Sequence, residues 1–191
     1  MQLTINNDFS KLAKDLGEFK KQIPFALASA LTKTAQASQR GVIKQAEKDI
    51  DRPTPFTLKG FVVSRATKRR LKATLSIKPV QADYLKYQID GGTRRKKKGK
   101  PVLIPGKNLR LNKYGNITKS RLRGKTSKNM FTKDGVIYQR LKKRVKALAF
   151  FKDKAEYSKR FRYYERAIGE AKANFGKEFD KALANAIRTA R

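Results

Sequence analysis

The chain has 191 residues, with 48 Lys and Arg against 15 Asp and Glu for a formal net charge of +33, 39% hydrophobic residues, and neither His nor Cys. That length fits one domain, or one domain with a long extension, and the 11 Phe and 7 Tyr supply a modest core. The missing His and Cys exclude thiol nucleophiles, imidazole bases, disulfides and the usual zinc sites, while the charge directs the chain toward polyanions: nucleic acid, an acidic protein surface or anionic lipid.

The opening MQLTINND has no basic stretch followed by an apolar one, so no secretory leader is expected. Phe9, Leu12, Leu16, Phe19 and Ile23 then recur at helical spacing, with Asn7 or Asp8 placed to cap the start. Pro24 stops that helix and suits the first turn of a second, which carries Leu27, Leu31, Ala35, Val42, Ala46 and Ile50 on one stripe. Ala26, Ala28, Ala30, Ala35, Ala37 and Gly41 would let other elements or subunits approach it closely. Arg52-Pro53-Thr54-Pro55 ends it near Asp51.

Residues 56–63 read as a strand interrupted at Gly60. Leu71, Ala73, Leu75 and Ile77 alternate with Lys72, Thr74, Ser76 and Lys78, a half-buried strand with a cationic outer face. Residues 84–89 fit either a helical turn or a strand. Residues 136–141 and 145–151 read as a strand pair turning at Lys142-Lys143. The longest apolar run, 147–151, is far short of the ~20 residues a membrane helix needs, so a soluble protein made in a cytoplasm is expected. Phe161, Tyr164, Ile168, Ala171, Phe175, Phe179, Leu183, Ala186, Ile187 and Ala190 keep a helical period to the end of the chain. Such a helix is ~45 Å long, and its length predicts partner subunits to cover it.

The charge is uneven. Residues 1–51 carry a net +2, residues 52–133 a net +22 and residues 134–191 a net +9. The stretch 91–133 has 15 Lys and Arg and no acid, opening with Arg94-Arg95-Lys96-Lys97-Lys98-Gly99-Lys100. With Gly106, Gly115 and Gly124 and few apolar residues, it reads as a long basic excursion, with a small hairpin over 109–118 turning at Asn112 to Asn116. Arg94, Arg95, Lys96, Lys97, Lys98, Lys100, Lys107 and Arg110 are its candidate polyanion contacts. Repulsion this dense is costly without a partner.

No catalytic constellation competes. Arg123-Gly124-Lys125-Thr126 resembles the end of a phosphate-binding loop, but position 119 is Lys where the motif needs Gly, and no apolar strand precedes it. A metal-dependent nuclease needs clustered carboxylates; Asp49 with Asp51, and Asp83 with Asp90, lack a third acid nearby. No zinc finger, helix-turn-helix or aromatic RNA-binding run is present, so any nucleic-acid binding should follow charge rather than sequence. The Tyr and Phe residues of 150–179, interleaved with Lys and Arg, offer rings on which bases could stack, while their helical spacing points to core or subunit interface.

The stretch Ile23-Pro24-Phe25-Ala26-Leu27-Ala28-Ser29-Ala30-Leu31-Thr32-Lys33-Thr34-Ala35 resembles the helix that opens the minor tail protein Z, or tail-completion, proteins of bacteriophages and the related head–tail joining proteins. Tyr84-Leu85-Lys86-Tyr87-Gln88-Ile89-Asp90-Gly91-Gly92-Thr93 is similar to a tyrosine-rich signature of that group ending in Gly-Thr. The basic centre and long Ala-rich final helix also fit, whereas the 94–133 excursion departs from the compact members. The resemblance implies an α+β fold, a ring-shaped homo-oligomer at the neck or tail end of the virion, and no enzymatic activity, hence no catalytic residue, metal or cofactor.

The resulting expectation is a single α+β domain: two N-terminal helices over 1–51, a small antiparallel β body from 52–90 and 134–151, the basic excursion 91–133, and a long helix over 155–191. Tyr84, Tyr87, Phe161, Tyr164, Ile168 and Phe175 are expected at subunit interfaces. Function is expected to be structural, completing the tail or joining head and tail, with a cationic surface facing DNA or an acidic neighbouring ring of neck, portal or tail proteins. The alternative is a free, sequence-independent nucleic-acid-binding protein of ribosomal or nucleoid type.

Overall fold

Pro24 lies in the first turn of helix α1 (Ile23–Asp49), where its missing N–H removes no helical bond. The helix ends at Ile50, whose backbone is extended and whose N–H reaches Ala46 O at 3.0 Å. The structure, a computed structural model, describes residues 2–5, 22–96, 99–118, 122 and 129–189. The helix predicted from Phe9 to Ile23 lies almost wholly outside them. The fold is α+β, and the chain divides into two compact units: Met1–Leu85 with Phe161–Arg191, and Lys86–Arg160.

In the first unit, strands β1 (Gln2–Ile5), β2 (Phe61–Ser64) and β3 (Ala73–Ile77) form an antiparallel sheet in the order β1-β3-β2. β3 is central because its alternation is the cleanest: Ala73, Leu75 and Ile77 are buried while Thr74 and Ser76 are half-buried. Between α1 and β2 the structure corrects the expected strand over 56–63. Thr54 caps a one-turn helix, α2 (Pro55–Leu58), its hydroxyl accepting Thr57 N–H at 3.1 Å, and only then does β2 begin. Residues 84–89 are helical, as the end of α3 (Pro79–Ile89).

The final helix, α4 (Tyr163–Thr189), runs antiparallel to α1. Ala26 and Ala30 pack with Ala182 and Ala186 near one end. Lys33 meets Glu178 at 3.9 Å, Ser38 Oγ donates to Ala167 O at 3.2 Å, and Asp49 faces Arg162 at 3.6 Å at the other end. Two helices of 27 residues each, ~40 Å long, thus cover one another within one chain. α1 covers the face of the final helix that carries Ala167, Ala182 and Ala186, while Ile168 and Ile187 stay exposed. Small residues make the approach possible: a Cβ on Gly41 would collide with the Glu170 side chain. Asp49 also secures the start of α4. Partial burial alone would raise its pKa, but the hydrogen bond from Gln45, the Arg162 N–H at 3.1 Å and the Arg162 charge together hold it below the usual carboxylate value.

Phe161 is fully buried, 5.8 Å from the Phe61 ring and 6.0 Å from that of Tyr163. It is core, and the expectation of Phe161 at a subunit interface is corrected. Burying such a ring contributes ~1.5–3 kcal/mol. Tyr163 OH donates to Leu75 O at 3.3 Å, tying α4 to β3, and burial pushes its phenol far above the ordinary value.

The second unit contains β4 (Gly92–Arg95), β5 (Val102–Pro105), β6 (Met130–Lys133), β7 (Val136–Leu141), β8 (Arg144–Lys152) and β9 (Lys154–Tyr157). β4 and β9 pair as a two-stranded ribbon, and the others form a four-stranded antiparallel sheet, order β5-β8-β7-β6. Leu109, Ile137, Leu148 and Ala149 form its small core. Four expectations are corrected here. The 91–133 stretch is not a bare excursion, since β4, β5 and β6 lie in it. The turn at Asn112 exists, its side chain accepting the N–H groups of Tyr114 and Asn116, but the flanking residues form no strands. Residues 154–157 are strand, so the final helix begins eight residues later than the expected 155. The strands expected to share one β body are in separate sheets.

Candidate functional site

Several cations of the second unit, among them Arg94, Arg95, Arg140, Arg144 and Lys146, are carried on paired strands, which fixes where they point. Lys86–Arg160 holds 25 Lys and Arg against 4 Asp and Glu, a net +21 of the +33 total. Arg94 and Arg95 lie on β4 opposite Ala155 and Lys154 of β9, both exposed, and alternate between the two faces of the ribbon. Lys96 follows them but is paired with Asp153 at 3.2 Å, and its N–H donates to Asp153 O. Lys154 is 3.6 Å from Glu156. Lys100, Lys107 and Arg110 are exposed in the connections before and after β5, while Lys97 and Lys98 lie outside the described residues. The predicted contact set is therefore split, and part of its charge is offset by Asp153 and Glu156.

Sequence reasoning missed a second cationic element, one free of acids. The β7–β8 hairpin pairs Arg140 with Val145 and Leu141 with Arg144, turning through Lys142-Lys143. Arg140, Lys142, Lys143 and Arg144 are exposed and Lys146 half-exposed, with no acid between 135 and 152. The Arg140 guanidinium stands 4.8 Å above the Phe131 ring, which stacks on Tyr138 at 5.3 Å, an arrangement that holds the charge in place. The signal in the sequence is a Lys-Lys turn flanked by Arg on both sides. It marks a strand boundary, but composition does not show which turns protrude.

Of the expected interface residues, Tyr84 is half-buried, its hydroxyl 2.9 Å from Thr57 Oγ1. Tyr87 packs on Tyr157 at 5.5 Å, and Tyr164 lies edge-on to Tyr163 at 5.1 Å. Phe175 stacks on Phe179 at 6.1 Å against the α1 cluster. Ile168 alone of the six is substantially exposed, at 41%. Other exposed large apolar residues of the first unit are Phe25, Phe56, Val80 and Ile187. Gln81 Nε2 donates to Phe56 O at 3.0 Å, which ties the start of α3 to α2.

A groove of about 490 Å³ runs between α1 and the connection from β2 to β3, lined by Phe25, Ala28, Thr32, Lys33, Arg65 and Lys68. The Lys68 ammonium stands 5.2 Å from the Phe25 ring centre. Of the carboxylates considered for a nuclease, Asp49 is engaged by Arg162 and Asp51 by Arg52, the latter through two bonds of 2.9 and 3.0 Å. Among the described residues no three acids gather to hold a metal ion, and no helix is long and apolar enough to cross a membrane. No protein-family model, curated protein or solved structure matches the chain.

Proposed function

We propose that this chain is a non-enzymatic structural protein of a bacteriophage particle, assembled as a ring that completes the tail or joins head and tail, in the virion neck or tail. Its cationic surface then faces DNA or an acidic neighbouring ring. The observation that carries the reading is the net +21 of Lys86–Arg160, part of which, at Arg94, Arg95, Arg140, Arg144, Lys146 and Lys154, is displayed on hydrogen-bonded strands. A folded surface so lacking in acids is self-repelling until a polyanion neutralises it. The sequence resemblance to the tail-completion group supports the phage setting. Phe25, Phe56, Val80, Ile168 and Ile187 supply apolar contacts for neighbouring subunits.

The second reading, a free sequence-independent nucleic-acid binder, is favoured by the α1–α4 pair. A chain that covers its own long helices needs no second copy for that purpose. Light scattering of nuclease-treated protein at moderate and high salt separates the two. A discrete oligomer that persists at high salt is expected for the ring. A monomer whose mass changes only when nucleic acid is added would establish the second reading instead.

A further inference from the structure

We infer that the β7–β8 hairpin is a nucleic-acid probe, a two-stranded arm that enters a groove of duplex DNA and contacts the phosphates on both sides of it. The inference rests on the polyanion-binding reading above and commits it to one partner and one element.

The hairpin protrudes from its sheet. β6 accompanies β7 only as far as the pair Met130–Gln139, with one further bond from Arg140 N–H to Asn129 O at 2.7 Å. On the other side β5 follows β8 no further than Pro105–Ala149, and Asn108 Nδ2 reaches Ala147 O at 3.1 Å. Beyond those points, residues 141–146 form a ribbon with no third strand beside it among the described residues. A two-stranded ribbon is one of the two elements that fit the major groove, ~12 Å wide.

Register sets the chemistry of its faces. Cross-strand partners share a face, so Leu141 and Arg144 lie on one side with Lys146, and Arg140 and Val145 on the other. Lys142 and Lys143 occupy the turn itself. Cations thus point to both sides and to the tip, as the two phosphate walls of a groove require. A flat anionic surface, whether a bilayer or a protein face, would be met by one side only. A membrane-inserting tip would also lead with apolar side chains, whereas here Leu141 and Val145, 38% and 55% exposed, stand behind the lysines. The four acids of the unit lie off the ribbon: Asp134 is in the turn at the far end of β7, Asp153 and Glu156 face Lys96 and Lys154, and Asp90 follows α3.

The test compares the full chain with a Lys142→Ser/Lys143→Ser/Arg144→Ser/Lys146→Ser variant and an Arg94→Ser/Arg95→Ser/Lys100→Ser/Lys107→Ser variant of equal charge. Binding to a fluorescent 20-base-pair duplex of arbitrary sequence is titrated over a range of salt. Losing four phosphate contacts reduces the slope of log K against log salt by ~3.6 and the affinity by roughly tenfold or more. That loss is expected for the hairpin variant and not for the other. Dimethyl sulfate protection of guanine N7, a major-groove atom, is expected for the wild type and absent for the hairpin variant. A Lys142→Arg/Lys143→Arg variant, which keeps both charges, should bind as the wild type does. Equal losses from both serine variants, or a wild type that binds phosphatidylglycerol vesicles but not the duplex, would overturn the inference. A wild-type ring that ignores duplex DNA would overturn it while leaving the structural reading intact.

Discussion

The two units of this chain solve the same problem, burying enough apolar surface, with different means. Met1–Leu85 with Phe161–Arg191 lays two long antiparallel helices against a three-stranded sheet, and its fully buried side chains include Ile23, Leu27, Leu31, Leu75, Phe61, Phe161 and Tyr163. Among the described residues, Lys86–Arg160 has a core cluster of Leu109, Ile137, Leu148 and Ala149, with Ile89 buried at the end of α3. The first unit carries a net +12 and the second +21. Charge density is therefore highest in the unit with the smaller core among the described residues, whose strands are ordered by backbone pairing.

That contrast can be broken by substitution. Phe161→Ala should destabilise by ~3–5 kcal/mol, seen as a large fall in the thermal transition monitored by helical circular dichroism. Ile137→Ala should cost ~2–5 kcal/mol but act on the second unit, visible as early loss of amide-exchange protection over 130–152. If both substitutions lower one common transition, the two units unfold as one and the distinction is lost. Gly41→Leu should destabilise by about 1–3 kcal/mol through overpacking against Glu170, read by chemical denaturation. Tyr163→Phe removes the bond to Leu75 O at a cost of ~1 kcal/mol near neutral pH. Because burial raises the native pKa of Tyr163, the unfolded chain loses that proton first as the pH climbs past the ordinary tyrosine value. Wild-type stability therefore falls there relative to the Phe variant, and equal slopes would show that the phenol is not desolvated. The hairpin substitutions at Lys142 and Lys143 should change stability by no more than ~0.5 kcal/mol, since both side chains are exposed.

How much of the molecule is legible in its sequence depends on whether a signal is local. Proline brackets α1 at Pro24 and Pro53, alternation exposes β3, and Lys142-Lys143 marks the β7–β8 turn. β4 and β9 are not legible, because Gly92-Thr93-Arg94-Arg95 and Lys154-Ala155-Glu156-Tyr157 have almost no apolar pattern and become strands by pairing with each other across the sequence. α2 is misread because Phe56 and the Val pair suggest β structure, while the deciding feature is the Thr54 cap next to Pro55. The existence of α4 is legible, but not its start at Tyr163 or its partner. Only the antiparallel register with α1 shows that Ala182 and Ala186 meet Ala26 and Ala30 rather than another subunit. The basic stretch is recognisable by composition, yet composition cannot separate Lys96, which has Asp153 beside it, from Lys142, whose hairpin has no acid.

The path of the chain through the second unit has a further consequence. The backbone leaves through Gln88 and returns through Arg160, and Arg160 N–H donates to Gln88 O at 2.8 Å, just beyond the Gly92–Tyr157 pair. Everything between is an insertion whose two ends meet, so it could be excised and closed with a short turn at little cost in loop entropy. Such a seam makes the basic portion separable at the level of the chain, so that a length change between Gln88 and Arg160 leaves the residues that build the helix pair and its sheet in place.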